Sequence, residues 1–271
     1  MKQGGFFSGS GMDPEEVRQR LQRWHESRPP REHAERLLRL RFTFLELQLD
    51  AIKELIHRHQ QAEEATWIKL EELDAEIEAN PENQQLDALR EERFLKAVFM
   101  ESAHSMAAVG MLAPFIESLF VAIFDRLKDK VALPTDHRRN TLGEGDIWNP
   151  QCYATREGEV DRKDIFLGIK QLAGATDLKP YLPPGHEPAL EALFAFRNNM
   201  LHNGFEWPAK KVQDFTMRIA SRGWPDDWFS GTGRGKDPWL YYMTPKFCAH
   251  SVALIDGIID GTGRYLKERG G

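Results

Sequence analysis

Residues 45–77 read LELQLDAIKELIHRHQQAEEATWIKLEELDAEI. Leu45, Leu49, Ile52, Ile56, Leu70, Leu73 and Ile77 fall on one alternating 4,3 spacing, which lines one helix face and suits a seam between two packed helices. The register passes unbroken through His59, Glu63 and Thr66. Polar groups therefore stand where the seam requires apolar ones, so the seam is either loose there or met by polar groups from its partner. Asn80-Pro81-Glu82-Asn83 stops this helix and starts the next, with Asn80 as the cap and Pro81 as the first residue. A second helical stretch is expected from Glu82 toward Asp129, with a kink or break at Pro114. The pair predicts a long antiparallel helical hairpin, whose plainest role is a solvated spacer.

The composition agrees with a helical, solvated chain. Of 271 residues, 41% are hydrophobic and 29% charged, with a net charge of −6. Residues 1–96 hold 15 Lys/Arg against 20 Asp/Glu, and the other 175 residues hold 21 against 22. The acidity thus lies in the front of the chain, and the near-neutral remainder repels an anionic ligand little. A protein that coats nucleic acid by bulk electrostatics is excluded, whereas one that touches few phosphates at a small site is not. Cys152 and Cys248 stand too far apart in sequence for a secreted disulfide framework. The apolar run 106–124 is interrupted by Gly110, Pro114 and Glu117, and a spanning helix needs about 20 mostly apolar residues. The expectation is a soluble, cytoplasmic protein.

Three parts are expected: a flexible Gly/Ser-containing leader over residues 1–12, a helical arm over 13–96 and a helical bundle over 97–271. Asp13-Pro14-Glu15-Glu16 has the form of a helix start. Residues 133–158 read as a long loop. Helices are expected at about 161–172, 187–202, 210–220 and 245–267, with a short extended segment near 239–243. The fold class is all-α.

The residues most suited to chemistry lie at 190–204, LEALFAFRNNMLHNG. Leu190, Leu193, Phe194 and Leu201 make one apolar stripe, and Arg197 occupies a position on it. A charge on a buried stripe is costly unless paired or used. Asn198 and His202 are four apart and share a face. A guanidinium is long enough to bridge the five residues from Arg197 to His202. Asn203-Gly204 supplies a left-handed cap, which places the titratable His202 in the last turn. The combination is a phosphate-gripping fork beside an imidazole.

The string Arg197-Asn198-Asn199-Met200-Leu201-His202-Asn203-Gly204 resembles the signature of HEPN domains, in which an arginine and a polar residue precede a histidine by a short spacing. The resemblance implies a small helical bundle that dimerises, and a metal-independent endoribonuclease of a toxin–antitoxin, phage-defence or RNA-processing setting. It implies that Arg197 binds or polarises the scissile phosphate, that His202 is the acid or base at a ribose 2′-hydroxyl, and that Asn198 orients one of them or the substrate. Two such motifs would meet across a homodimer to form one composite site. No cofactor or metal is implied. RNA is the expected substrate, and the acidic arm, outside the family pattern, is a candidate surface for an antitoxin or other protein partner. The alternative is a non-catalytic, dimeric interaction or nucleotide-sensing module built on the same bundle.

Other constellations are weaker. Arg197 has a structural alternative, an ion pair with Glu101 or Glu117. Glu101 and His104 stand one turn apart, as an acid–base pair or a solvated pair would. His57 and His59 lie on different faces, unsuited to a metal clip. Thr232-Gly233-Arg234-Gly235-Lys236 lacks the spacing of a phosphate loop and reads as a turn. Trp207, Trp224, Trp228, Trp239, Tyr241 and Tyr242 read as core plugs rather than base-stacking platforms. Lys210-Lys211 is a backbone-phosphate contact or a solvated helix start.

Overall fold

The protein is described by a computed structural model covering residues 29–38, 45–131, 138–155, 160–161, 164–232 and 238–269. The leader, the helix start at residue 13 and the Gly-rich turn at 233–237 lie outside the described residues. Seven α-helices are present among those described: α1 Pro30–Leu38, α2 Leu45–Ala79, α3 Gln84–Leu127, α4 Ile165–Ala175, α5 His186–Asn203, α6 Ala209–Arg222 and α7 Pro245–Glu268. Two short antiparallel ribbons join them, β1 (Tyr153–Ala154) with β2 (Val160–Asp161) and β3 (Phe229–Thr232) with β4 (Leu240–Met243). The chain is an all-α bundle, as its sequence pattern requires. The extended segment expected near 239–243 is β4.

The seam of α2 is buried where its apolar residues predict: Leu45, Leu49, Ile56, Leu70 and Leu73 are all inside. α2 and α3 run about 52 and 66 Å at 1.5 Å per residue. The helix start after the turn differs from expectation by three residues. Asn83, not Asn80, caps α3, its Oδ1 accepting from Gln85 N at 3.2 Å. Asn80 instead closes α2, donating Nδ2 to the Glu76 carbonyl at 3.1 Å. The sequence offers two asparagines around Pro81, and the backbone bond from Asn83 N to Asn80 O, 3.0 Å, shapes that turn.

α3 also runs through Pro114 as one helix, so of the kink or break expected there the break does not occur. Proline removes one backbone bond and crowds the carbonyl four residues back. Burial of Leu112, Ala113, Phe115 and Ile116 on both sides holds the helix together across it. By length and composition α3 is the one described helix able to cross a membrane, but 61% of its most apolar window is buried inside the bundle. Leu119, Phe120, Ile123 and Phe124 complete that buried face.

The boundary expected at 96/97 falls inside α3. α1, expected in the arm, lies against α7 instead. Arg31 reaches Asp256 and Asp260 at 3.0 and 3.2 Å, and Lys53 on α2 meets Asp256 at 3.0 Å. The approach is close enough that a Cβ on Gly263 would stand 1.8 Å from the Pro30 carbonyl, and one on Gly261 2.0 Å from that of Tyr181. Only glycine fits such backbone contact. The Gly-Thr-Gly-Arg string at 261–264 is therefore a packing device.

Candidate functional site

α5 carries the Arg197–His202 string and docks its N-terminal half through Leu190, Leu193, Phe194 and Phe196, all buried. Glu191 anchors it to α6 through Arg218 at 3.0 Å and Arg222 at 3.1 Å. The apolar stripe ends earlier than expected. Met200 is buried, but Leu201 is 59% exposed, because the last turn of α5 has run past the bundle core. Gly204 caps the helix at φ +70°, its N–H donating to Met200 O at 2.9 Å, and Asn203 Nδ2 donates to Asn199 O at 2.9 Å.

Arg197 stands at the rim of the stripe with 20% of its side chain exposed. Its Nη1 donates to Glu117 Oε2 on α3 at 2.8 Å, while Nε and Nη2 share Asn198 Oδ1 at 3.2 and 3.1 Å. Glu117 is itself oriented, its Oε1 accepting from Gln151 Nε2 at 2.7 Å. The guanidinium lies 5.4 Å from the Phe194 ring centroid. The costly charge on an apolar face is thus compensated, by Glu117 rather than Glu101. Three of five guanidinium N–H groups are engaged, which leaves two for a ligand.

Asn198 and His202 are exposed. Among the described residues, no hydrogen bond or ion pair joins Arg197 to His202, and His202 bonds to nothing. Arg197 and Asn198 are brought together, and His202 is held beside them only by the helix they share.

The loop after Gly204 leads to α6. Trp207 donates Nε1 to Gly204 O at 3.0 Å and packs under Phe196, Phe215 and Tyr241. Trp207, Trp224, Trp228 and Tyr241 are buried, as core plugs should be. Trp239 is only partly buried and meets Phe99 edge-on at 5.6 Å. A half-open cavity of about 840 Å³ lies here, lined by Trp207, Lys210, Gln213, Asp214, Met217 and Trp239 among others.

A second cluster occupies the middle of the hairpin, at the polar positions of the α2 seam. His104 Nδ1 lies 2.8 Å from Glu63 Oε1, and its ring stacks on His59 with centroids 4.4 Å apart. Trp67 Nε1 donates to Glu101 Oε1 at 2.6 Å. The partner helix therefore does supply polar groups to the polar register. Burial pushes Glu63 up to about 7, with repulsion from Glu101 adding to it. Burial also raises Glu101 and lowers His104 and His59. The spacing of Glu101 and His104 signalled this cluster in sequence, but its burial depends on α2.

Sequence reasoning missed Arg139, which is wholly buried within the segment read as a loop. Both cysteines are buried, and no disulfide joins them. Among the described residues, no group of three or more His, Cys, Asp or Glu is placed to hold a metal ion. Compared with family models, curated proteins and solved structures, the chain finds no match.

Proposed function

We propose that this chain is a HEPN-type, metal-independent endoribonuclease whose working end is the C-terminal turn of α5. What supports the reading is a guanidinium oriented by Glu117 and Asn198, with two N–H groups uncommitted, on the same helix end as an exposed imidazole. On this reading His202 removes the proton of a ribose 2′-hydroxyl. The oxygen attacks the adjacent phosphorus, the bond to the 5′ oxygen breaks, and a 2′,3′-cyclic phosphate and a 5′-hydroxyl remain. Arg197 stabilises charge developing on the phosphoryl oxygens. Glu117 offsets part of the arginine charge, so its part is to hold the fork in place. A homodimer would pair two such ends, and a second His202 would protonate the leaving oxygen. The cavity beside Trp239 and Lys210 offers a base an apolar wall and its phosphate a cation. The toxin–antitoxin or defence setting rests on the family resemblance alone.

The test uses single-stranded RNA in EDTA. His202→Ala should reduce cleavage by at least about 100-fold, the scale of general acid–base catalysis, while the fold is kept. Equal cleavage by the purified variant and the wild type overturns the proposal.

The Arg197–Glu117 pair favours a second reading, a non-catalytic module in which this contact pins α5 to α3 and the bundle serves for dimeric interaction or nucleotide sensing. A wild type that cuts no RNA, together with an Arg197→Ala variant of lowered melting temperature, would select it.

A further inference from the structure

The polar layer inside the hairpin takes no part in the chemistry proposed for α5, yet its construction is specific. Along the α2 seam, Ile56 and Leu70 are buried, and His59, Glu63 and Thr66 fill the positions between them. α3 answers with Glu101 and His104 rather than with aliphatic side chains. Three ionisable groups interlock through the Glu63–His104 contact and the His59–His104 stack, whose planes lie 7° apart, and Glu101 stands beside them on the Trp67 indole. Tyr242 on β4 approaches Glu101, and Cys248 on α7 lies within the field of Glu63. Among the described residues, neither glutamate meets a lysine or arginine. Glu101 Oε2 and His59 Nδ1 are buried without a hydrogen-bond partner.

The Glu63–His104 contact and the imidazole stack can both be made by uncharged members. A carboxylic acid bonds a neutral imidazole, and two neutral imidazoles stack face to face. Ionised, the layer would hold two carboxylates with no cation besides the imidazoles, in surroundings where unpaired charge is costly. The geometry points to a pH-sensitive latch: ionisation of Glu63, as the medium passes from mildly acid to mildly alkaline, loosens α2 from α3 at this layer while the bundle keeps its fold.

The sign follows from linkage. Packed, Glu63 keeps its proton up to about 7, against an ordinary value of 4.5 when opened to water. The packed state binds more protons across that window, so the Glu63 contribution favours opening increasingly as pH rises. Between pH 6 and 8 that contribution grows about tenfold in the opening equilibrium. His59 and His104 act in the opposite direction. Their values are lowered by burial, so the opened layer takes up protons first and their contribution to opening grows as pH falls below 6.5. Tyr242 is pushed up by burial, and Cys248 is pushed up to about 12. Both remain protonated throughout and add nothing.

The experiment compares the full chain with Glu63→Gln, which mimics the protonated acid. Amide hydrogen exchange over residues 56–70 is measured at pH 6 and pH 8 and corrected for intrinsic exchange chemistry. Taking the ratio of the two proteins cancels the histidine contribution. The opening equilibrium of the wild type relative to the variant should rise about tenfold from pH 6 to pH 8, while amides of residues 255–259 in α7 keep the same protection. A ratio unchanged with pH overturns the latch. Should Glu63→Gln fail to fold, the Glu63 carboxyl carbon is titrated by NMR in the wild type. A midpoint near 7 that moves the Trp67 indole N–H resonance with it supports the latch, and a midpoint near 4.5 overturns it.

Discussion

Arg139 and Arg197 are both drawn against the bundle, and they are held in opposite ways. Arg139 is 0% exposed and donates all five of its N–H bonds to neutral oxygens. The carbonyls of Ile147, Cys152, Asp146 and Asn149 receive four, at 2.7 to 3.0 Å, and Gln171 Oε1 receives the fifth at 3.0 Å. It knits residues 146–152 into a compact unit and ties them to α4. Arg197 keeps a fifth of its side chain in solvent, pairs with one carboxylate and retains two free N–H groups. The first arginine has no donor left for a ligand, so its work is architectural. The second is preorganised and partly unused, which is what an anion site needs.

The sharpest way to break this contrast is Arg139→Ala. It strands four carbonyls and a glutamine in the interior, and removal of one partner of such a buried network costs about 3–5 kcal/mol. Chemical denaturation should show a loss of that size, and a loss under about 1 kcal/mol would mean water replaces the guanidinium readily. Gly168→Ala attacks the same loop from below. A Cβ there would lie 1.9 Å from the Pro150 carbonyl, so the loop must lift from α4, at about 1–3 kcal/mol for overpacking. Retained stability would show that the loop is not seated on α4 as described.

The other arginine predicts smaller changes in stability and larger ones in function. Glu117→Gln removes the charge partner of Arg197 but keeps a hydrogen-bonding oxygen. Because both side chains are about one-fifth exposed, screening limits the cost to about 1 kcal/mol or less. On the proposed endoribonuclease reading, RNA cleavage should fall through loss of positioning, with recovery in Glu117→Asp smaller than wild type but measurable. His202→Ala should change stability least, within about 0.5 kcal/mol, since an exposed side chain without partners supports nothing. A melting temperature lowered by several degrees in His202→Ala would break the distinction between an architectural and a working end.

Much of this was legible in the residues. The 4,3 spacing of α2, the helix starts near 187, 210 and 245, and the glycine after Asn203 all encode local geometry, and each appears where expected. The polar gap in the α2 seam was visible as well, including the two ways of resolving it. Glu117 was one of two acids open to Arg197, and helix periodicity could not choose between them, because that depends on how α5 crosses α3. Arg139 escaped notice because it lies in an irregular segment, where no period marks a buried position. Leu201 was misplaced for a related reason: a helical wheel extends a stripe indefinitely, whereas a core has an edge.

The sequence by itself determined that the chain is helical, where most helices begin and end, and which eight residues merit a chemical test. These properties follow from side-chain period, capping groups and turn residues, all of which act within a few positions along the chain. Only the tertiary structure decided that α1 belongs to the body through Gly263, that α3 continues through Pro114, that Arg197 keeps donors free and that Glu63 and Glu101 share a half-buried layer. Each of these depends on groups from tens to more than 200 residues apart being desolvated together, and burial and charge pairing exist only once the helices have packed.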